Sequence, residues 1–427
     1  MLIILVMVLL WLGLGSLIYF IIRRQRITLS LPQVFIFFAA KIMAGAVYGY
    51  IFQRFYKGDD TWRLNEDAWL QYQRLLSSPR LFFSELFTAV PVPPGGKFYF
   101  QSNDYLQNLE YAITGKTVAL FNFISQGNYY INMLLFNFVG FWGVFYLYKL
   151  LADKFALKDR QLAAAVLFLF PPATFWLSGL RTEGFLLLST AIFLYHCNAW
   201  LQQKRPLSMF YSLLAFAFIL LFRNGFALAL LPAVLAWGLS LRLKKGVRKT
   251  FALTYFGLLA LALLAGMAWS RLNVLLPIAR RQEVFLSLEG NTRFNLTKLE
   301  PNLLSFVKVL PEALVNSFVR PLPWEARGLL QWFTAAENIV VLVFIALTVY
   351  LYRRRNLRRG NGAWIMMLLM AALANYLLIG YVVPFPGAIV RYKIIAELFI
   401  IAACLSAVPP SDYVAAFTRS RRYGRYR

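Results

Sequence analysis

Apolar and polar positions along this chain alternate in long blocks rather than in the short periods of a soluble domain. Eleven apolar stretches fall at 3–22, 32–54, 129–148, 161–177, 183–200, 207–222, 225–241, 250–269, 333–352, 363–383 and 390–408. Each is near the ~20 residues that a helix needs to cross about 30 Å of hydrocarbon. The pattern predicts an all-α polytopic membrane bundle of about eleven spans. It divides the chain into an extra first span with a basic loop (1–31), a main bundle (32–408) and a basic tail (409–427).

Charge gives this bundle a direction. Every second connection is basic: Arg23, Arg24 and Arg26; Lys149, Lys154, Lys158 and Arg160; Lys204 and Arg205; Arg242 to Lys249; Arg353 to Arg359; and the tail. These connections hold 24 Lys and Arg against three Asp, a net +21 of the chain's +26. Cytoplasmic loops carry the Lys/Arg excess, so the expected location is a bacterial inner membrane with the N-terminus outside and the C-terminus in the cytoplasm. Arg23, Arg24 and Arg26 follow the first apolar stretch rather than precede it, which fits a retained anchor rather than a cleaved signal.

A composition of 60% hydrophobic and 15% charged residues excludes an ordinary soluble enzyme. The positive charge sits beside spans, where it orients helices and meets anionic lipid, so we expect no nucleic-acid partner. Cys197 and Cys404 fall within or at the edge of spans and form no disulfide framework or metal spacing. The single histidine, His196, lies at a cytoplasmic span end, which excludes histidine chemistry at the outer face.

Two hydrophilic segments, 55–128 and 270–332, share the outer side by parity, and the recognisable chemistry belongs there. The first opens Lys57-Gly58-Asp59-Asp60-Thr61-Trp62 directly after a span, and Trp62, Trp69 and Tyr72 at helical spacing suit a helix lying in the head-group region. A break at Ser78-Pro79 precedes a second amphipathic stretch around Leu81-Phe82-Phe83, and Pro91 to Gly96 mark an irregular loop. The second segment ends in a compact Pro-, Arg- and Trp-rich turn, Phe318-Val319-Arg320-Pro321-Leu322-Pro323-Trp324-Glu325, with no phosphate loop or repeat.

Several charges stand where charge is expensive. Arg181 and Glu183 share a short outer turn, Arg223-Asn224-Gly225 interrupts the 207–241 apolar run, and Arg391-Tyr392-Lys393 begins the last span. Ionisable groups at such depths usually line a polar cavity, and guanidinium groups grip phosphate at two points. The plainer reading is that these side chains snorkel, with Arg181 and Glu183 pairing. Asp59 and Asp60 read either as a helix cap or as a general base beside the cationic pocket.

The position of Gly58-Asp59-Asp60, together with 171–184, Arg320 to Glu325 and Arg391-Tyr392-Lys393, resembles the GT-C superfamily of polyprenyl-phosphate-sugar-dependent glycosyltransferases over roughly 32–408. The resemblance implies a GT-C-like bundle with membrane-parallel outer helices. It also implies a polyprenyl-phosphate-linked sugar donor and a membrane-lipid, glycan or protein acceptor. On that reading Asp60, and second Asp59, is the catalytic base, and Arg181, Glu183, Arg223, Arg320, Arg391 and Tyr392 bind substrate. This chain departs by its extra first span. No second carboxylate is firmly placed for a metal, so the sequence assigns no cofactor and leaves a divalent cation open. Two other functions remain open: a lipid-linked oligosaccharide flippase and a non-catalytic scaffold of the same architecture.

Overall fold

In a computed structural model of the protein, the described residues are 2–25, 27, 29–56, 59–88, 105–152, 155–243, 246–269, 272–289, 292–354 and 362–423. They are helical almost throughout. Among the described residues eight helices are long and apolar enough to cross a membrane, and a ninth candidate is a helix pair bent by 81°. The protein is a helical, multi-pass membrane bundle, and the chain divides into two compact units, Met1–Asn224 and Gly225–Arg427.

The first unit begins with α1 (Leu2–Arg24) and α2 (Leu31–Tyr56), which run side by side. Trp11 Nε1 donates to the Phe35 carbonyl at 3.3 Å, and the two rings meet edge to face. Next come three helices too polar or too short to be spans: α3 (Asp59–Ser77), α4 (Pro79–Thr88) and α5 (Tyr105–Ser125). In α3 the buried positions Thr61, Leu64, Asn65, Ala68 and Tyr72 recur every three or four residues, the stripe of an amphipathic helix. Polar ties reinforce its packing on α5 and α4: Lys116 Nζ donates to Gln71 Oε1 at 2.7 Å and to Glu85 Oε2 at 3.0 Å. The Pro91–Gly96 loop expected from the sequence lies outside the described residues, as does Gly58.

The centre of this unit is α6 (Tyr129–Ala152), buried along most of its length. The apolar stretch at 161–177 is two short helices, α7 (Leu157–Leu169) and α8 (Pro171–Trp176), because the Pro171-Pro172 pair cannot continue the hydrogen-bond ladder of α7. Phe37 stacks on Phe168 and Tyr48 packs at a tilt against Phe175, so α7 and α8 climb along α2 in the same direction that α2 runs. Between them they carry the chain from one end of the unit to the other, as one helix would. α9 (Thr182–Gln203) then returns along α6.

The expected spans 207–222 and 225–241 are two helical stretches within α10 (Pro206–Leu243), separated by a kink of non-helical backbone at Arg223 (φ −160°, ψ 86°). This break coincides with the boundary between the two units.

The second unit continues with α11 (Val247–Ala268), whose apolar side chains, such as Phe256, Leu264 and Met267, are mostly exposed. α12 (Leu275–Ser287) and α13 (Leu303–Phe318) follow, the latter capped by Asn302 accepting from the Ser305 amide. Buried Gln282 ties this region together, donating to the Thr297 and Tyr381 carbonyls and accepting from the Leu299 amide. The unit closes with α14 (Leu329–Arg354), α15 (Gly362–Val382), α16 (Pro386–Ala407) and α17 (Pro410–Tyr423). Gly380 lets α15 touch the backbone of α13, where a Cβ would collide with the Ala313 carbonyl. The helix pair bent by 81° is α16 with the start of α17, held at the corner by Tyr413, whose ring stacks on Phe344 and whose hydroxyl donates to the Cys404 carbonyl.

Candidate functional site

Arg181 is the residue around which the acidic motif is organised. It occupies extended backbone just before α9 and is almost wholly buried, 7% exposed. Its Nε donates to the Tyr48 hydroxyl at 2.5 Å, Nη1 to Asp60 Oδ2 at 3.2 Å, and Nη2 to Asp59 Oδ2. A buried guanidinium costs too much unless it is paired and hydrogen-bonded, and here all three nitrogens are engaged. The two carboxylates sit in the first turn of α3, where the positive end of the helix dipole favours them.

Several contacts fix this geometry. Thr61 Oγ1 accepts from the Leu180 amide at 3.1 Å and is hydrogen-bonded to the Tyr129 hydroxyl at 2.9 Å. Trp62 stacks on Tyr129 with centroids 4.0 Å apart, and its Nε1 donates to the Gly49 carbonyl. One turn of α3 is thereby clamped to α2, to α6 and to the segment carrying Arg181. Deeper in the unit, Gly45 allows α2 to approach Ser178, whose carbonyl oxygen would lie 2.7 Å from a Cβ there. Lys41 Nζ reaches the Leu177 carbonyl and Ser178 Oγ at 3.5 and 3.4 Å, and Asn137 donates to the Ser178 carbonyl at 2.8 Å.

Asp60 differs from Asp59 in access: its side chain is 43% exposed against 27%. Partial burial, the largest influence, raises the Asp60 carboxyl above its usual range. The Arg181 charge opposes that rise, while the negative charges of Asp59 and Glu183 add to it. The result is a reachable carboxylate of increased basicity, held in one orientation by a guanidinium.

The other expected site residues are distributed differently. Glu183 is buried and pairs not with Arg181 but with Arg223, which donates to Glu183 Oε1 at 3.3 Å. Arg181 is drawn instead to the two aspartates, which face it from α3. Arg320, Arg391 and Tyr392 belong to the second unit. Arg320 makes a two-point contact with Glu325, donates to Asn316 and lies 4.1 Å from the centre of the Phe294 ring. Those hydrogen bonds lower the Glu325 carboxyl, whose Oε2 also accepts from the Leu322 amide. Arg391 Nε donates to the Gly387 carbonyl of its own helix at 3.0 Å, and Tyr392 packs against the apolar core of α12, α13 and α15.

Tyr48, Thr61, Tyr129 and Lys41 are the residues of this site that sequence reading passed over. Lys41 carried a signal, a lone cation inside an apolar run. The donor set does not suit a divalent cation, because each aspartate already gives an oxygen to Arg181. Among the described residues no group of three or more His, Cys, Asp or Glu is placed to hold a metal. No protein-family model, curated protein or solved structure matches the chain.

Proposed function

We propose that this protein is a membrane-embedded glycosyltransferase of GT-C type, moving a sugar from a polyprenyl-phosphate donor onto a lipid, glycan or protein acceptor. The observation that carries the reading is Asp60. It opens a polar amphipathic helix immediately after a candidate span, stays 43% exposed, and is oriented by buried Arg181. In the proposed reaction Asp60 takes the proton from an acceptor hydroxyl as its oxygen bonds to the anomeric carbon. The bond from that carbon to the phosphate breaks, and polyprenyl phosphate leaves with the electron pair. A lipid phosphate is a competent leaving group, so cationic stabilisation suffices without a general acid.

The proposal includes a topology. α1 enters from outside, the basic connections face the cytoplasm, and the acidic motif faces outward. The path of α7 and α8 along α2 supports the reversal that this topology needs between α6 and α9.

A scaffold reading draws on the same contacts, because Arg181 satisfied by Asp59, Asp60 and Tyr48 is also what a structural staple looks like. The deciding experiment is a transfer assay with purified protein and polyprenyl-phosphate-linked sugars, comparing wild type with Asp60→Asn. Transfer by the wild type that collapses in the folded variant supports catalysis. Absence of transfer across donors, or equal transfer by the variant, removes it.

A further inference from the structure

The second unit contains a cavity of about 1050 Å³ that the proposed chemistry does not use. That volume is at the upper limit of ordinary ligand pockets, about 300–1,000 Å³. It is walled by α11, α14, α15 and α16, and its lining is overwhelmingly apolar. The charged side chains in its lining are all cations, Arg248, Lys249 and Arg353, and all three stand at the end where the basic connections lie. Each is exposed.

The depth of the cavity narrows the choice of occupant. Along α14 its lining runs from Leu342 to Arg353, and along α15 from Gly362 to Leu373. Eleven residues of helix rise roughly 16 Å, close to half of a hydrocarbon core about 30 Å thick. A groove one leaflet deep, apolar along its length and cationic at its head-group end, matches a phospholipid of that leaflet in both length and charge. A polyprenyl chain would outrun it, and a free phosphate would leave its apolar walls unused.

We propose that this groove is a specific binding site for an anionic phospholipid, its phosphate held among Arg248, Lys249 and Arg353 and its acyl chains lying along α14, α15 and α16. Basic pockets between membrane helices on the cytoplasmic side recognise anionic head groups in this way. Thr348 and Cys404 in the groove wall are neighbours of Tyr413, which fixes the corner between α16 and α17, so a lipid here also braces that bend. The site is independent of the glycosyl-transfer reading and stands or falls separately.

The test uses full-length protein, delipidated in a neutral detergent and titrated with phosphatidylglycerol or phosphatidylcholine under native mass spectrometry. The expected result is one retained phosphatidylglycerol, bound at least about tenfold more tightly than phosphatidylcholine. Replacing Arg248, Lys249 and Arg353 together by Ser should remove that preference. Because loop charges also influence insertion, Leu369→Trp provides a second variant that fills the groove and leaves the cations in place. It should weaken both lipids while the protein still unfolds cooperatively. Equal affinity for the two lipids, unchanged binding in both variants, or displacement of the lipid by millimolar inorganic phosphate would each overturn the assignment.

Discussion

Arg181 and Asp60 are 121 positions apart in the chain, and the arginine's Nη1 lies 3.2 Å from the aspartate's Oδ2. The contact joins the start of α3 to the start of α9, and it places a nearly buried cation against a carboxylate that water can reach.

Removing the cation should destabilise the first unit. Arg181→Ala leaves Tyr48, Asp59 and Asp60 without their common donor, and breaking one side of a buried pair costs about 3–5 kcal/mol. The lower end applies here, since both aspartates are partly exposed. Arg181→Lys should recover only part of the loss, because one ammonium cannot point at three separate acceptors. Thermal unfolding in detergent reads both, and an unchanged midpoint in Arg181→Ala would show that the pairing contributes nothing.

The two aspartates should separate in function. Asp60→Asn is expected to lower transfer by ~10²–10⁴-fold, the range of general-base catalysis, with folding preserved. Asp59→Asn, at the less exposed carboxylate, should cost less. If both variants turn over normally, the acidic pair is structural and the scaffold reading leads.

The raised Asp60 carboxyl predicts the direction of the pH response. Transfer should decline with acidification at a pH above the ordinary carboxylate value of 3.8, because the base is lost on protonation. Stability changes in the opposite sense. Between 3.8 and the raised folded-state value the native protein binds the extra proton, so this group's contribution is full below 3.8 and is lost as pH rises through that window. Asp60→Asn should therefore flatten that part of the stability profile, measured as unfolding midpoint against pH. An unaltered profile would remove the claim that burial governs this carboxyl.

How far the sequence revealed these features depends on the kind of interaction involved. Hydropathy and charge sufficed for the helical membrane bundle and for the span at Tyr129–Ala152, because lipid forces every backbone group to be satisfied within a helix. The same signal did not show that Pro171-Pro172 divides the 161–177 stretch into two short helices. The break at Arg223 was legible, because Arg223-Asn224-Gly225 interrupts the apolar run where the backbone leaves the helix. Asp59 and Asp60 stood out as acids after a span. Their partner did not, since pairing across 121 residues is a product of tertiary packing, and the nearer Glu183 looked the better match for Arg181. Tyr48 and Tyr129 were hidden among the many aromatics of apolar runs, where nothing in sequence distinguishes a hydrogen-bonded hydroxyl from an interfacial one.

Topology can be tested without any assumption about activity. In a background with Cys197 and Cys404 replaced by Ala, a thiol introduced at Ser84 in α4 should react with an impermeant reagent from outside intact cells. One introduced at exposed Gly246, beside the basic start of α11, should react only after permeabilisation. The reverse pattern would place the acidic motif in the cytoplasm and remove the outer-face reading with it.

The last prediction concerns a buried pair in the second unit. In α16, Lys393 and Glu397 are each 2% exposed and 3.1 Å apart, one helical turn from each other, and Lys393 also donates to Asn338 Oδ1. Asn338 in turn donates to the Val319 and Arg320 carbonyls, so the pair anchors α14 and the Arg320 turn to α16. Lys393→Met alone strands Glu397 in apolar surroundings and should cost about 3–5 kcal/mol. Adding Glu397→Leu removes the stranded charge, leaving chiefly the unmet Asn338 oxygen at about 1–3 kcal/mol, so the double variant should be more stable than the single one. That ordering, read from unfolding midpoints in detergent, separates a packed ion pair from a charge kept for transport or catalysis. A double variant no better than Lys393→Met would mean that Glu397 is already neutral or solvated in the folded protein.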